Sequence, residues 1–220
     1  MSEVDYQSVK EAAREAAEQS GSIRDDVRNL TVEALSQGGL NLEKIKQVVS
    51  AVLEGASIGA EMRGTHIKET LSESMVGVDE AIAKSAEASK LALEEAAGHL
   101  KEFGKEDLKR ALDDVIALEE LFLEVSRTVA KESGEVISTT LNELIAHAGN
   151  SGTAVGQKSR EIVETLNREL TESLRETVSA RGDAVLKVTA HLSQAAAGFL
   201  EGFAETLDAK VANHRHPKKG

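Results

Sequence analysis

The chain contains no cysteine and no tryptophan, one proline, one tyrosine and four phenylalanines in 220 residues. Without cysteine, disulfides and thiolate metal sites are excluded, and the redox character of the compartment stays open. So few aromatics argue against sheets with aromatic cores and point to Ala-rich and Leu-rich helix packing. Long apolar runs are missing as well. The longest uncharged apolar stretch, residues 188–200, includes His191, Ser193 and Gln194 and is too short and polar to span a bilayer. Residues 1–10 are acidic and polar with no apolar core, so no secretory signal is expected and a cytoplasmic location follows as the default.

Positive charge is also in short supply. Against 38 acidic residues stand 26 basic ones, a net charge of -12, which repels nucleic acid unless a local basic patch overrides it. No such patch stands outside the C-terminal tail, so nucleic acid is not an expected partner.

What the sequence does have is helical periodicity. Steps of 3, 4 and 4 residues from Leu42 give three columns: Leu42, Leu53, Gly64, Met75, Ala86, Ala97; Ile45, Ala56, Ile67, Val78, Ser89, Leu100; and Val49, Ala60, Leu71, Ile82, Leu93, Gly104. With 29% of the chain charged, about five of these eighteen positions would be charged under random placement. None is. An eleven-residue repeat, about 3.67 residues per turn, keeps the stripe nearly straight or slightly right-handed. Ile45, Val49, Ile67, Leu71, Val78, Ile82, Leu93 and Leu100 are the candidate interaction seam.

Around that helix the chain punctuates itself. Val9, Ala13 and Ala16 mark an N-terminal helix interrupted at residues 20–22. Ser22, with Asp25 three residues on, reads as a loose capping box for a second helix carrying Ile23, Val27, Leu30 and Ala34 on one face. Gly38 and Gly39 are a strong stop, and Asn41 is an N-cap for the long helix beginning at Leu42. If continuous to Phe103, that helix would be about 93 Å long at about 1.5 Å per residue. Its interior glycines, Gly55, Gly59, Gly64, Gly77 and Gly98, each disfavour helix by about 1 kcal/mol relative to Ala. Either a neighbouring helix approaches closely at small-xxx-small pairs such as Gly55 and Gly59, or the helix completes itself only on a partner or lipid surface.

A short turn at 104–106 folds the chain back. Beyond it, Leu108, Val115, Phe122, Val129 and Val136, with Ala111, Leu118 and Val125 between them, form a heptad seam that fades at Glu132 and Thr139. Residues 148–153 read as a loop, and a final long helix carries Ile162, Leu166, Leu170 and then Val185 to Leu207. The tail, 213–220, holds Pro217, Lys218 and Lys219 and is expected to be disordered.

Chemistry-bearing motifs are scarce. Residues 149–159 combine Gly, Lys and Ser, but Gly149 and Gly156 are seven apart and Gln157 separates Gly156 from Lys158, so the spacing of a phosphate loop is not met. Among the six histidines, Glu95 with His99 and Glu143 with His147 are four apart. That spacing fits surface pairing and not the Glu-x-x-His of di-metal bundles. No catalytic, cofactor or metal residue is assigned. Phe199 and Phe203, flanked by Gly198 and Gly202, are either core near a bundle end or an exposed patch for self-association or membrane contact.

The segments IRDDVRNLTVEAL (23–35), EGASIGAEMRG (54–64) and AIAKSAEASKLALEE (81–95) resemble an uncharacterised family of proteobacterial helical proteins carrying a domain of unknown function, which implies no activity. In its Ala-rich helices and scarcity of Trp and Cys, the chain is also similar in composition to phasins, the coat proteins of polyester storage granules. The expected fold is all-α: an elongated antiparallel helical bundle or hairpin of long helices with eleven-residue and heptad repeats, one unit over 1–212. The expected function is non-enzymatic, a self-associating scaffold with itself or a helical protein as partner. The alternative is reversible coating of a lipid or polymer surface.

Overall fold

The computed structural model describes residues 4–37, 41–98 and 105–179, with side chains for 4–37, 41–90 and 112–168. The described residues form helices α1 (Tyr6–Gln19), α2 (Ile23–Ser36), α3 (Leu42–Arg63), a 3-10 turn (Gly64–His66), α4 (Ile67–Gly98), α5 (Lys105–Glu132), α6 (Glu135–Ser151) and α7 (Ala154–Ser179), with no strand among them. The protein is an all-α bundle of long helices. At about 1.5 Å per residue, α4 alone is about 48 Å long.

Direction follows from the cross-helix contacts. Lys10 Nζ donates to Glu54 at 2.7 Å, Arg14 approaches Met62, and Arg63 donates to the carbonyls of Glu18 and Ser20. Residue numbers therefore rise together, and α1 runs parallel to α3. Arg24 and Arg28 both hold Glu80, and residues 22–25 share a cleft with Glu69 and Glu73, so α2 runs parallel to α4. Two hairpins, α1–α2 and α3–α4, thus lie one on the other with their turns together. Gly134 faces Glu61, which brings the α5–α6 turn to the same end. After the break at Gly152, α7 advances parallel to α4: Asp79 meets Ala154 and Val155, Glu87 meets Lys158, and Lys90 meets Glu161.

The hairpins are held by unusually close backbones. A Cβ on Gly55 would lie 2.1 Å from the Lys10 carbonyl oxygen and 3.0 Å from Ala13 Cβ; on Gly59, 2.5 Å from the Arg14 oxygen and 2.8 Å from Ala17 Cβ; on Gly77, 2.6 Å from the Arg24 oxygen. Close approach, the first of the two readings of these glycines, is what the structure shows at all three. Each helix of the inner hairpin consequently has a second buried face beside the uncharged columns: Val48, Val52, Gly55 and Gly59 on α3, and Thr70, Ser74, Gly77 and Ala81 on α4.

Several expectations are corrected. Continuity of the helix from Leu42, which its glycines left open, ends at Gly64: that residue takes φ 64° and the chain turns there, a conformation that costs an L-residue with a side chain about 1–2 kcal/mol or more. Ser22 makes no side-chain cap. Instead Ser20 Oγ accepts from the Ser22 amide at 2.8 Å. In α1 it is Ala17, not Ala16, that is fully buried, because Ala13 and Ala17 are the pair facing Gly55 and Gly59. The heptad seam does not reach Val136. The chain breaks at Ser133–Gly134 and Val136 is 62% exposed. The loop expected at 148–153 is narrower, because α6 keeps its hydrogen bonds to Ser151 and only Gly152 and Thr153 interrupt. Asn41 does cap α3, its Oδ1 accepting from the Lys44 amide at 2.7 Å. The turn at 104–106 and the tail fall wholly or partly outside the described residues, though Lys105 opens α5.

Candidate functional site

The seam is interior. Ile45, Val49, Leu71, Val78 and Ile82 are at most 1% exposed and Ile67 is half-buried. The side chains of Leu93 and Leu100 lie outside the described residues. Covering these positions are helices of the same chain, since α3 and α4 contact α1, α2, α5 and α7. Burying a Leu, Ile or Val side chain contributes about 1.5–3 kcal/mol, so the stripe is first of all what holds the protomer together. Phe199 and Phe203, the candidate patch, lie outside the described residues.

What sequence reading missed is a set of side chains that cap one helix from another. Neither α1 nor α2 has a basic residue in its last turn, and α3 supplies both. Arg63, in its last turn, donates to the carbonyls of Glu18 and Ser20 at the end of α1. Lys44, in its first, donates to Leu35 and Gln37 at the end of α2, at 2.9 and 2.6 Å. Cations there satisfy orphan carbonyls and oppose the negative end of each helix dipole. Burial pushes the Lys44 ammonium below the usual lysine range. No local motif could have revealed these pairs, because each partner is defined only by the fold.

At the opposite polarity, α7 is capped by acids. Asp79 Oδ2 accepts from the Ala154 amide at 2.6 Å and Oδ1 from Val155 at 2.9 Å. Thr153 Oγ1 accepts from the Gly156 amide at 2.9 Å and donates to Glu119 Oε1 at 2.7 Å. The stretch that superficially combines Gly, Lys and Ser is therefore a helix start whose amides are taken by the protein's own carboxylate and hydroxyl. Burial, reinforced by Glu119 and Glu80, lifts the Asp79 carboxyl above its ordinary range despite the two amide bonds. Nearby Glu80 goes the other way, because hydrogen bonds from Arg24, then Arg28, hold it below the glutamate range.

Histidines contribute no site among the described residues. His66 is exposed beside Glu69 at 3.2 Å. His147 is exposed, and Glu143, four residues before it, instead pairs with Lys68 of α4 at 2.7 Å. No cluster of three metal-ligating side chains occurs among the described residues. Where the first two turns meet, an open cleft of about 490 Å³ is lined by Ser20, Ser22, Arg24, Asp25, Arg63, His66, Glu69 and Glu73. Its charges are mixed. Arg24 and Arg63 are already engaged, by Glu80 and by the α1 carbonyls.

Fold and surface together define an up-and-down helical bundle built around internal small-residue contacts, with no described helix long and apolar enough to cross a membrane. The chain belongs to the family of unknown function DUF6781, whose model matches residues 1–209. No curated protein and no solved structure matches it.

Proposed function

We propose that the chain is a non-enzymatic structural or interaction protein, a helical scaffold that associates with a second copy or another helical segment. Because the stripe along α3 and α4 is used within the protomer, association falls to other surfaces. The observation that carries the reading is apolar side chains left open at the turn end. Ile58 and Met62, one turn apart on α3, are 38% and 60% exposed, and Val136, two residues past the glycine that faces Glu61, is 62% exposed. Large apolar groups gathered at one end of a bundle suit end-on contact with another helical body. Sedimentation velocity over a dilution series tests it: the native protein should shift to heavier species with concentration, and Met62→Glu with Val136→Glu should not. A native protein monomeric throughout, or equal association of both, defeats the reading. A cytoplasmic location accompanies it, as does the absence of a nucleic-acid partner.

A second reading, reversible coating of a neutral lipid or polymer surface, is favoured by the core chemistry. Thr31, Ser57, Ser74 and Ser126 are buried, and each hydroxyl donates to the carbonyl four residues back in its own helix. Helices that part company leave none of these groups orphaned, so exchanging internal packing for an external apolar surface carries a smaller polar penalty. Flotation with neutral vesicles separates the readings. The coat reading predicts floating native protein and loss of flotation in Phe199→Ser with Phe203→Ser; native protein that stays soluble at every lipid ratio removes it.

A further inference from the structure

Two acids meet the start of α7, a helix whose Val155, Ile162 and Leu166 are fully buried in the bundle. Asp79 from α4 and Glu119 from α5 converge on its first turn, and Glu119 lies where a side chain at 156 would be, within 2.2 Å of a Cβ placed there. Gly152, just upstream, has φ 84° and ψ 160°, a region essentially reserved for glycine. On the buried face of α7, Ser159 Oγ has no partner. We propose that this joint is operated by a proton: α7 docks on α4 most tightly when the Asp79 carboxyl is protonated, and loosens about Gly152 as that carboxyl ionises.

The charged groups around Asp79 set the direction. On α4, Glu80 is paired with Arg24 and Arg28 of α2, which leaves it a weaker neighbour than Glu119. From α5 comes Glu119, and the nearest cations of α7 are engaged away from Asp79: Arg160 sits 3.5 Å from Glu119, and Lys158 pairs with Glu87 and Glu161. The α7 amides and the positive helix end favour the ionised acid, whereas burial and the two neighbouring glutamates favour the protonated one. Burial prevails. The docked state therefore holds the proton more tightly than the undocked state, where Asp79 returns to water. Between the free aspartate value and the higher docked value, the undocked state has fewer protons than the docked one, so docking weakens as pH rises. One proton changes the docking equilibrium by at most about tenfold per pH unit. Below the free value the benefit is complete, and above the docked value it is gone.

Hydrogen exchange of the α6–α7 amides, corrected for the intrinsic pH dependence of exchange and followed from about pH 4 to about pH 8, reads this directly. In the wild-type chain the opening constant of α7 should rise with pH inside that window by up to about tenfold per unit. Asp79→Asn should lack this rise, with the difference from wild type confined to α7 and the α6 amides unchanged. Glu119→Gln keeps Asp79 and its two amide contacts but removes a neighbouring charge, so it should move the rise to lower pH. Should Asp79→Asn fail to fold, the Glu119→Gln displacement decides alone. Superimposable pH profiles for the wild type and every folded variant overturn the proposal.

Discussion

Replacing Gly55 by Ala sets two opposing effects against each other, and the structure decides between them. In an isolated helix the change gains about 1 kcal/mol, because Ala is the better helix former. In the bundle the new methyl would sit 2.1 Å from the Lys10 carbonyl oxygen and 3.0 Å from Ala13 Cβ. The obstruction is backbone, so no rotamer relieves it. α1 and α3 would have to separate by about 1 Å, a carbon–oxygen contact being comfortable only beyond about 3.3 Å. That disturbs Ala13, Ala17, Val52 and Ala56, all fully buried, together with the Lys10–Glu54 pair. Overpacking of this kind costs about 1–3 kcal/mol, occasionally more, and a backbone clash belongs at the upper end, which leaves a net loss of about 2 kcal/mol after the propensity gain. In a chain this size that lowers Tm by about 4–8 °C. Gly149→Ala is the control, a helical glycine with nothing within 4 Å of the added carbon, and should be neutral or slightly stabilising. Urea denaturation of both variants measures the difference. If Gly55→Ala stabilises as Gly149→Ala does, α1 does not lie against α3 and the packing argument fails.

Other substitutions test other contacts. Ile82→Asp places a charge in a fully buried position and should destabilise by about 4 kcal/mol or more, whereas Lys84→Asp on the exposed side should stay within about 0.5 kcal/mol; equal melting temperatures would refute the assigned face. Lys44→Met should cost about 1–3 kcal/mol by leaving the Leu35 and Gln37 carbonyls without their donor. Because the folded Lys44 binds its proton less tightly than the unfolded lysine, the wild type should gain relative to this variant as pH rises through the folded value toward the free lysine value. A difference that stays flat or narrows over that range contradicts the buried placement. Gly152→Ala should lose about 1–3 kcal/mol to backbone strain, and an unchanged urea midpoint would show that the positive φ is not needed.

The helical class and the stripe through Ile45, Val49, Leu71, Val78 and Ile82 were readable because apolar spacing survives in sequence without knowledge of partners. The second buried face of α4 was not, since Thr70, Ser74, Gly77 and Ala81 carry no apolar signal; only the absence of charge and the presence of Gly77 hint at it. One interior glycine disfavours helix by too little to separate a turn at Gly64 from close approach at Gly55 and Gly59. At Ser133–Gly134 a turn dipeptide was present, but the heptad spacing through Val129 to Val136 ran across it. The caps formed by Lys44, Arg63 and Asp79 join residues up to 76 apart in sequence, and spacing holds no trace of such partners.

The central claim is that one chain closes its own seam, with α1 parallel to α3. Since the chain has no cysteine, paired spin labels can be placed at will on exposed sites: Glu15 with Glu61, and Glu15 with Glu43. Residues 43 and 61 are about 27 Å apart along α3 at about 1.5 Å per residue. Electron–electron distance measurements in a large excess of unlabelled chain should give a short distance for the first pair and one longer by about 20 Å for the second. The reverse order, or a short distance that disappears on dilution with unlabelled chain, would contradict the account.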